Sequence, residues 1–488
     1  MKRAAPYLAL AGTALFSILL VRIAPRHSAM AVGFVAAATA LCAVVSLLEA
    51  RRPRLRARHV IAVIAVVFGI AIATPPRSSN DLWSYTMYGR IVAQHDANPY
   101  DKLPADFRSD PFFPRVSPVW RHRGSVFGPV WVGVSAGESA LTGDSPLENR
   151  LAFQLAAGLA VAAILVLVWR RTRSPAALAW LGLHPVIVVA VNGGHNDVWL
   201  GLGALAAGLL VARRRVFAAG IVLGAIALVK LTALLALGGL VLWLLHRREA
   251  RRIAGLVVTT AAVVIIGYAP FAADAAHVLG EADHTVTAGS VWNPIGELLV
   301  GHDAGRGLAN PLAPNSTLDA IFWASFVLVL GLAAFGAWRR RGRATPVPAV
   351  ASAAGAYPVA AQYTLPWYTV WALPSFTERR PSRLAWVFWL DAALLLAAWK
   401  LPVHASGSVL DNIFRGLLSY VAPLAFLVAF VVVTARERED AEEPGSAAHG
   451  PGDSNAHVAR AAASRRNTNT RTQTRAPAGS GPDGTLRM

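Results

Sequence analysis

Apolar residues run along this chain in blocks long enough to cross a bilayer, separated by short polar breaks. A hydrocarbon core takes roughly 20 apolar residues per helix, with a range of about 17–25. Candidate spans are 6–23, 30–49, 59–74, 150–169, 176–191, 197–212, 216–230, 232–246, 253–269, 318–338, 347–363, 366–377, 384–400 and 414–434. That predicts an all-α polytopic membrane protein with about fourteen transmembrane helices, twelve to fourteen being the range that fits. Lys230 interrupts 216–246, and 366–377 is the weakest span. Residues 125–142 are also moderately apolar, but Gly128, Pro129, Gly133, Gly137 and Glu138 interrupt them, which predicts a re-entrant or interfacial helix instead.

Composition agrees with this pattern. Of 488 residues, 55% are hydrophobic and 15% charged, where a soluble domain carries about a quarter charged. The net charge is +19, and its distribution decides what it means. Lys2 and Arg3, then the basic runs at 51–58, 170–173, 213–215, 247–252, 339–343 and 379–383, fall at every second span boundary if both termini are cytoplasmic. This is the positive-inside pattern, so the basicity reads as topology and implies no nucleic acid. Two large outer segments result, 75–149 with juxtamembrane helices and 270–317, within a membrane domain 1–434. The start, MKR before a long apolar run, reads as a retained signal-anchor. Residues 435–488 are polar and nearly free of aliphatics, which predicts a disordered cytoplasmic tail. The single cysteine, Cys42, lies in an apolar run and excludes an intrachain disulfide and a CxxC metal site.

Three constellations carry candidate chemistry. In the first outer segment, Ser79 or Asn80 can cap a helix running from Asp81 to about Gln94, ending before Asn98-Pro99. Trp83, Met87 and Ile91 share one face, with Tyr85, Tyr88 and Arg90 around the sides, which predicts an amphipathic helix flat on the outer interface. Asp81 is either a first-turn acid favoured by the helix dipole or a general base for a hydroxyl attacking a lipid-linked donor. In Gly193-Gly194-His195-Asn196-Asp197, two glycines permit a sharp turn before a helix N-terminus, which offers N–H groups to an anion such as phosphate, with His195 as a further cation or donor. The alternative is a capping turn with His195 in water. Lys230 lies inside an apolar run, where an ionisable group either faces a cavity and a lipid phosphate or snorkels to the interface.

Other features are less specific. Arg121, with His122 and Arg123, forms either an anion contact or a solvated basic loop. Trp292, near Asn293, Asp274, Glu281 and Asp283, suits a sugar ring or ordinary loop polarity. Trp367 and Tyr368, in Tyr363-Thr364-Leu365-Pro366-Trp367-Tyr368, form either a substrate contact or an interfacial aromatic belt. The chain has no Walker A motif, no GxGxxG, no HExxH and no GxSxG, and nothing shows metal-ligand spacing. No internal repeat marks a rocking transporter.

Read together, NDLWSYTMYGRIVA at 80–93, GSVFGPVW at 124–131, GGHNDVWLGL at 193–202, LVKLTALLAL at 228–237 and LPWYTVWALP at 365–374 resemble the actinobacterial polyprenyl-phosphate-mannose-dependent mannosyltransferases. These are membrane glycosyltransferases of fold class C, and the likeness is greatest to the α-(1→6)-mannopyranosyltransferase branch. It covers most of 75–377. The resemblance implies an inverting transferase in the plasma membrane, with its site on the extracytoplasmic side. Such an enzyme moves one sugar, here mannose, from a polyprenyl-phosphate donor to a glycolipid or glycan acceptor. It implies Asp81 as the catalytic base, with His195 and Lys230 near the donor phosphate. Tyr85, Arg90, Arg121, Asn196, Asp197, Trp292, Trp367 and Tyr368 are expected at the substrate. No cofactor is required, because the sugar arrives activated. The second acid that the family often carries beside the base is here Asn80, so a divalent metal has no support. The competing expectations are a flippase or transporter of lipid-linked sugars, and a scaffold without chemistry.

Overall fold

The computed structural model describes residues 4–24, 28–271, 274, 285–300, 315–401 and 409–437. Among them the chain is helical, with no β-strand. The first half carries α1 (Ala5–Arg22), α2 (Ala29–Arg51), α3 (Ala57–Ala73), α4 (Asp81–Ala93), α5 (Pro129–Thr142), α6 (Pro146–Thr172), α7 (Pro175–Gly182) and α8 (Pro185–Asn192). The second carries α9 (Asp197–Ala212), α10 (Val216–Ala227), α11 (Leu234–His246), α12 (Ala250–Tyr268), α13 (Asn293–Val300), α14 (Asn315–Arg339), α15 (Val347–Ala360), α16 (Arg383–Lys400), α17 (Val409–Gly416) and α18 (Ala422–Arg436). Contacts divide the chain into 1–435 and 436–488. Of the second unit only 436 and 437 are described, so the expected disordered tail lies outside the described residues, as do Glu281 and Asp283.

Among the described residues, six helices are long and apolar enough to cross a membrane: Ala5–Arg22, Ala29–Arg51, Pro146–Thr172, Ala250–Phe271, Thr317–Arg339 and Asn412–Arg436. Shorter apolar helices add to these at 57–73, 197–212, 216–227, 231–246 and 347–360. Among the described residues these do not confirm the expected count of fourteen. Residues 366–377 are not one continuous α-helix: Pro366–Trp371 is a 3-10 helix and Leu373–Phe376 a single turn. Prolines at the start of each piece deny it the N–H groups that a continuous helix needs. The span expected at 176–191 is a pair, α7 and α8, bent by 56°. The bend lies where the His184 imidazole accepts a bond from Val186 N (3.1 Å) and Pro185 opens the next helix. The span expected at 216–230 stops at Ala227, because the chain turns extended at Lys230 (φ −149°, ψ 128°).

The segment between α3 and α6 differs most from its expected form. Helix α4 starts at Asp81, whose N–H is accepted by Ser79 Oγ at 3.0 Å. Its apolar stripe is not open to an interface, since Leu82 and Ser84 through Ile91 are all buried. The stripe of Met87 and Ile91 is covered by Phe112 and Val116 of the following loop. Arg90 ties that loop down by gripping Asp110 (2.8 Å), Gly143 O (2.9 Å) and Asp144 (2.8 Å). Helix α5 packs on the other side. The sequence stripe was apolar enough for lipid, but the chain supplied its own cover.

Candidate functional site

Gly128 is the first hinge of the site. A Cβ there would stand 2.2 Å from the carbonyl oxygen of Leu228. Only a glycine lets the loop run so close that Gly128 N donates to Val229 O (3.0 Å) and Val130 N to Leu228 O (3.1 Å). These bonds hold the break between α10 and α11 against the 124–131 loop, and Lys230 projects from that break. Its ammonium lies 2.8 Å from Asp197 Oδ1, 4.7 Å from the Tyr368 ring centroid, and 5.7 Å from those of Phe127 and Trp371. An ammonium packed over aromatic faces and paired with a buried acid is the expected resolution of a lysine in apolar surroundings. Lys230 is therefore neither snorkelling nor inside a helix.

The second hinge is Gly194, at φ 61°. That left-handed residue closes the turn from α8 into α9. Asn196 and Asp197 follow, both fully buried. Asp197 takes Lys230 Nζ and Trp371 Nε1, each at 2.8 Å, on one oxygen. Asn196 Oδ1 lies 3.5 Å from the Tyr85 hydroxyl. His195 does not point to water. It is fully buried, stacked on Trp367 at 4.0 Å and 21°, with Nδ1 3.5 Å from Asp81 Oδ2. Burial, with the nearby Lys230 charge, pushes the His195 imidazole well below its usual range. Both effects disfavour the charged ring. Burial, together with the carboxylates of Asp81 and Asp197, holds the Tyr85 phenol well above its usual range, so it stays protonated.

Asp81, Ser84, Tyr85, Trp120, Val126, Phe127, Lys230, Tyr363, Leu365, Trp367 and Tyr368 line one cavity of about 60 Å³. Tyr363 also lines a second and larger space, an apolar groove of about 840 Å³ between α11, α14 and α15. Leu235, Leu242, Phe326, Val329 and Tyr357 are among its walls, and Thr232, Ser325 and Gln362 are its few polar ones. The chain before Asp81 is fixed from across the fold. Trp399 Nε1 donates to Ser78 O (2.8 Å) and Lys400 Nζ to Ser78 Oγ (2.7 Å).

The structure thus brings Asp81, Tyr85, Lys230, Trp367 and Tyr368 to one cavity, with His195, Asn196 and Asp197 directly behind it. It does not bring Arg90, Arg121 or Trp292 there. Arg90 is spent on Asp110 and Asp144. Arg121 donates to Val116 O and Pro114 O, both at 3.0 Å, and stacks over Phe113. Trp292 Nε1 donates to Ala360 O at 2.7 Å. Trp120, Phe127 and Trp371 were not foreseen. Only the spacing of Trp367 and Trp371, four apart in an aromatic run, gave a sequence signal for any of them. Among the described residues, no group of three or more His, Cys, Asp or Glu could hold a metal ion.

With this geometry in hand, comparison with known proteins adds a family. The family model described as "Alpha-(1->6)-mannopyranosyltransferase, N-terminal domain" matches residues 5–247. A second, "Glycosyltransferase family 87", matches residues 145–362. The chain is similar to alpha-(1->6)-mannopyranosyltransferase A of Mycobacterium tuberculosis, 26% identical over 388 residues, which is 73% of this chain and 71% of that protein. It is also similar to alpha-(1->6)-mannopyranosyltransferases A and B of Corynebacterium glutamicum. Those matches are 29% and 30% identical and cover 34% and 40% of this chain. They span only 35% and 37% of the length of those two relatives.

Proposed function

The chain belongs to the α-(1→6)-mannopyranosyltransferase-like membrane glycosyltransferases, and from that premise we propose that it transfers one mannosyl residue from a polyprenyl-phosphate carrier to a glycolipid or glycan acceptor, with Asp81 as general base. One observation carries this reading. The Asp81 cavity, with Lys230 in its wall, shares Tyr363 with a long apolar groove. A lipid carrier needs both: apolar walls for its hydrocarbon chain, and a cation beside its phosphate.

In the proposed step Asp81 accepts the proton of an acceptor hydroxyl. The hydroxyl oxygen attacks the anomeric carbon as the bond from that carbon to the phosphate oxygen breaks, with inversion. The electron pair leaves on the polyprenyl phosphate. Lys230 has three N–H donors and gives one to Asp197, which leaves donors for the charge developing on the phosphate. Asp197 and the three aromatic faces hold the ammonium in place before the reaction, so little reorganisation is needed. His195, stacked on Trp367 with Nδ1 3.5 Å from Asp81 Oδ2, backs the carboxylate from behind the cavity. The basic runs at alternate helix boundaries support an extracytoplasmic site in the plasma membrane, with both termini inside.

The test is transfer by the purified protein in vesicles, with labelled polyprenyl-phosphate mannose and a mannoside acceptor. Asp81→Asn is expected to lower turnover by about 10²–10⁴-fold while leaving the melting temperature unchanged. Wild-type-like turnover by both Asp81→Asn and Asp81→Ala would refute the assignment. Relocation of label between leaflets without a new glycosidic bond would replace a transferase with a carrier.

A further inference from the structure

The cavity has two unlike walls. Tyr363, Leu365, Trp367 and Tyr368 form one, and through Tyr363 that wall runs on into the apolar groove. Trp120, Val126 and Phe127 form the other, from the loop between α4 and α5. Phe127 is occupied, edge-on to Tyr85 at 4.9 Å and near the Lys230 ammonium. Val126 has no directional chemistry. Trp120 differs from both. It is half-buried, packed against the Met87, Tyr88, Ile91, Phe112 and Val116 cluster with the Arg123 guanidinium 5.5 Å from its ring, and its indole N–H makes no hydrogen bond to a described residue.

The backbone around this ring is pinned as well. Trp120 N donates to Ser117 O (2.9 Å) within a 3-10 turn, Pro118–Trp120. Ala105 N donates to Arg121 O (2.9 Å), and the Tyr88 hydroxyl donates to Arg123 O (3.1 Å). An aromatic side chain with a fixed base, packed on an apolar cluster and lining the same cavity as a carboxylate, is a preorganised platform.

We propose that Trp120 is the acceptor platform: the terminal pyranose of a glycan acceptor stacks on its indole and presents a hydroxyl to Asp81. The inference rests on the transferase reading, and it gives the acceptor the wall that the carrier lipid leaves free. One face of a pyranose is a sheet of weakly positive C–H bonds, which matches the negative face of an indole. The free indole N–H can donate to a neighbouring hydroxyl. Trp292, the aromatic that loop composition marked for a sugar, has its N–H committed to Ala360, and Trp120 takes that role.

The test uses the full chain in nanodiscs, polyprenyl-phosphate mannose as donor and an octyl α-mannobioside as acceptor probe. KM is measured for each substrate, and probe binding without donor is followed by saturation-transfer NMR. Trp120→Ala is expected to raise the acceptor KM about tenfold, the scale of one aromatic stack, with the donor KM within about twofold of wild type. Trp120→Phe should recover most of the loss, because it keeps the face. An unchanged acceptor KM in Trp120→Ala overturns the proposal. So does an equal rise in both KM values, which is what an interfacial anchor or a loosened loop would give. If the wild type binds the probe, Trp120→Ala does not, and neither forms product, the platform stands and the transferase reading falls.

Discussion

At one end of α9 stands Asp197, fully buried against Lys230 and Trp371; at the other stand Arg213, Arg214 and Arg215, all exposed. The same contrast separates the two ends of the helix bundle. Among the described residues of the basic end, guanidinium groups bond mostly to backbone carbonyls. Arg171 donates to Ser375 O (3.3 Å) and Thr377 O (3.2 Å), and Arg247 to Arg341 O and Arg343 O (3.0 Å each). Arg247 and Arg341 also lie over Trp243 and Trp338, at 3.6 and 3.8 Å. Those carbonyls lie at or just past helix ends, the last of which have no intrahelical donor. Arg173, Arg214 and Arg248 even take the left-handed φ (50°, 63°, 57°) normally left to glycine, just past α6, α9 and α11. At the site end the charges are fewer, and side chains are paired with side chains inside aromatic walls. Charge density therefore distinguishes the two ends, and desolvation of a few charges distinguishes the candidate site.

Five substitutions and one pH series sharpen that contrast, in order of expected size. The loss of turnover in Asp81→Asn is the largest. Next comes the Lys230–Asp197 pair, whose side chains are 15% and 0% exposed. Removing one partner leaves a buried charge unmatched. Asp197→Ala should destabilise by about 3–5 kcal/mol, read as a lower melting temperature in detergent, and the double variant with Lys230→Met should recover part of it. Equal melting of Asp197→Ala and wild type would mean the pair is solvated after all.

His195 gives a smaller, pH-dependent effect. Its folded pKa is lowered by burial and by Lys230, so the unfolded chain binds a proton that the folded chain refuses. Stability from this neutral ring is full above the unfolded value of about 6.5 and declines as pH falls below it. Melting scans between pH 7.5 and 5 should show the decline, and His195→Gln should flatten it. Smallest is the basic end. Arg171→Ala should cost about 1–2 kcal/mol, through carbonyls left without their donor, with both KM values unchanged. Arg173→Gly should gain about 1 kcal/mol by relieving the left-handed backbone, again without effect on transfer. A changed KM in either would break the division between the ends.

Much of the frame was legible because it depends on local rules. The start of α4 at Asp81 follows from Ser79 and its place before an apolar run. The break at Lys230 was visible as a charge inside apolar sequence, although the extended backbone there was not. The burial of α4 was illegible, because its Met87 and Ile91 stripe looks the same whether lipid or the 104–123 loop covers it. Arg90 and Arg121 were expected at the substrate for a similar reason. Composition shows a guanidinium but not whether Asp110 or a loop carbonyl has already claimed it. Trp120 carried no signal at all, since its place beside Asp81 depends on a loop returning from forty residues along the chain.

What the residues alone determined is the class of the molecule and the identity of its key charges: apolar blocks must bury themselves in a bilayer, basic runs choose a side, and a carboxylate or ammonium within such a chain must have a purpose. Which of those charges meet was decided only by the tertiary structure. Meeting depends on close approaches such as Gly128 against Leu228, and on partners thirty to three hundred residues apart. Hydropathy and spacing, which are local quantities, hold no record of distances of that kind.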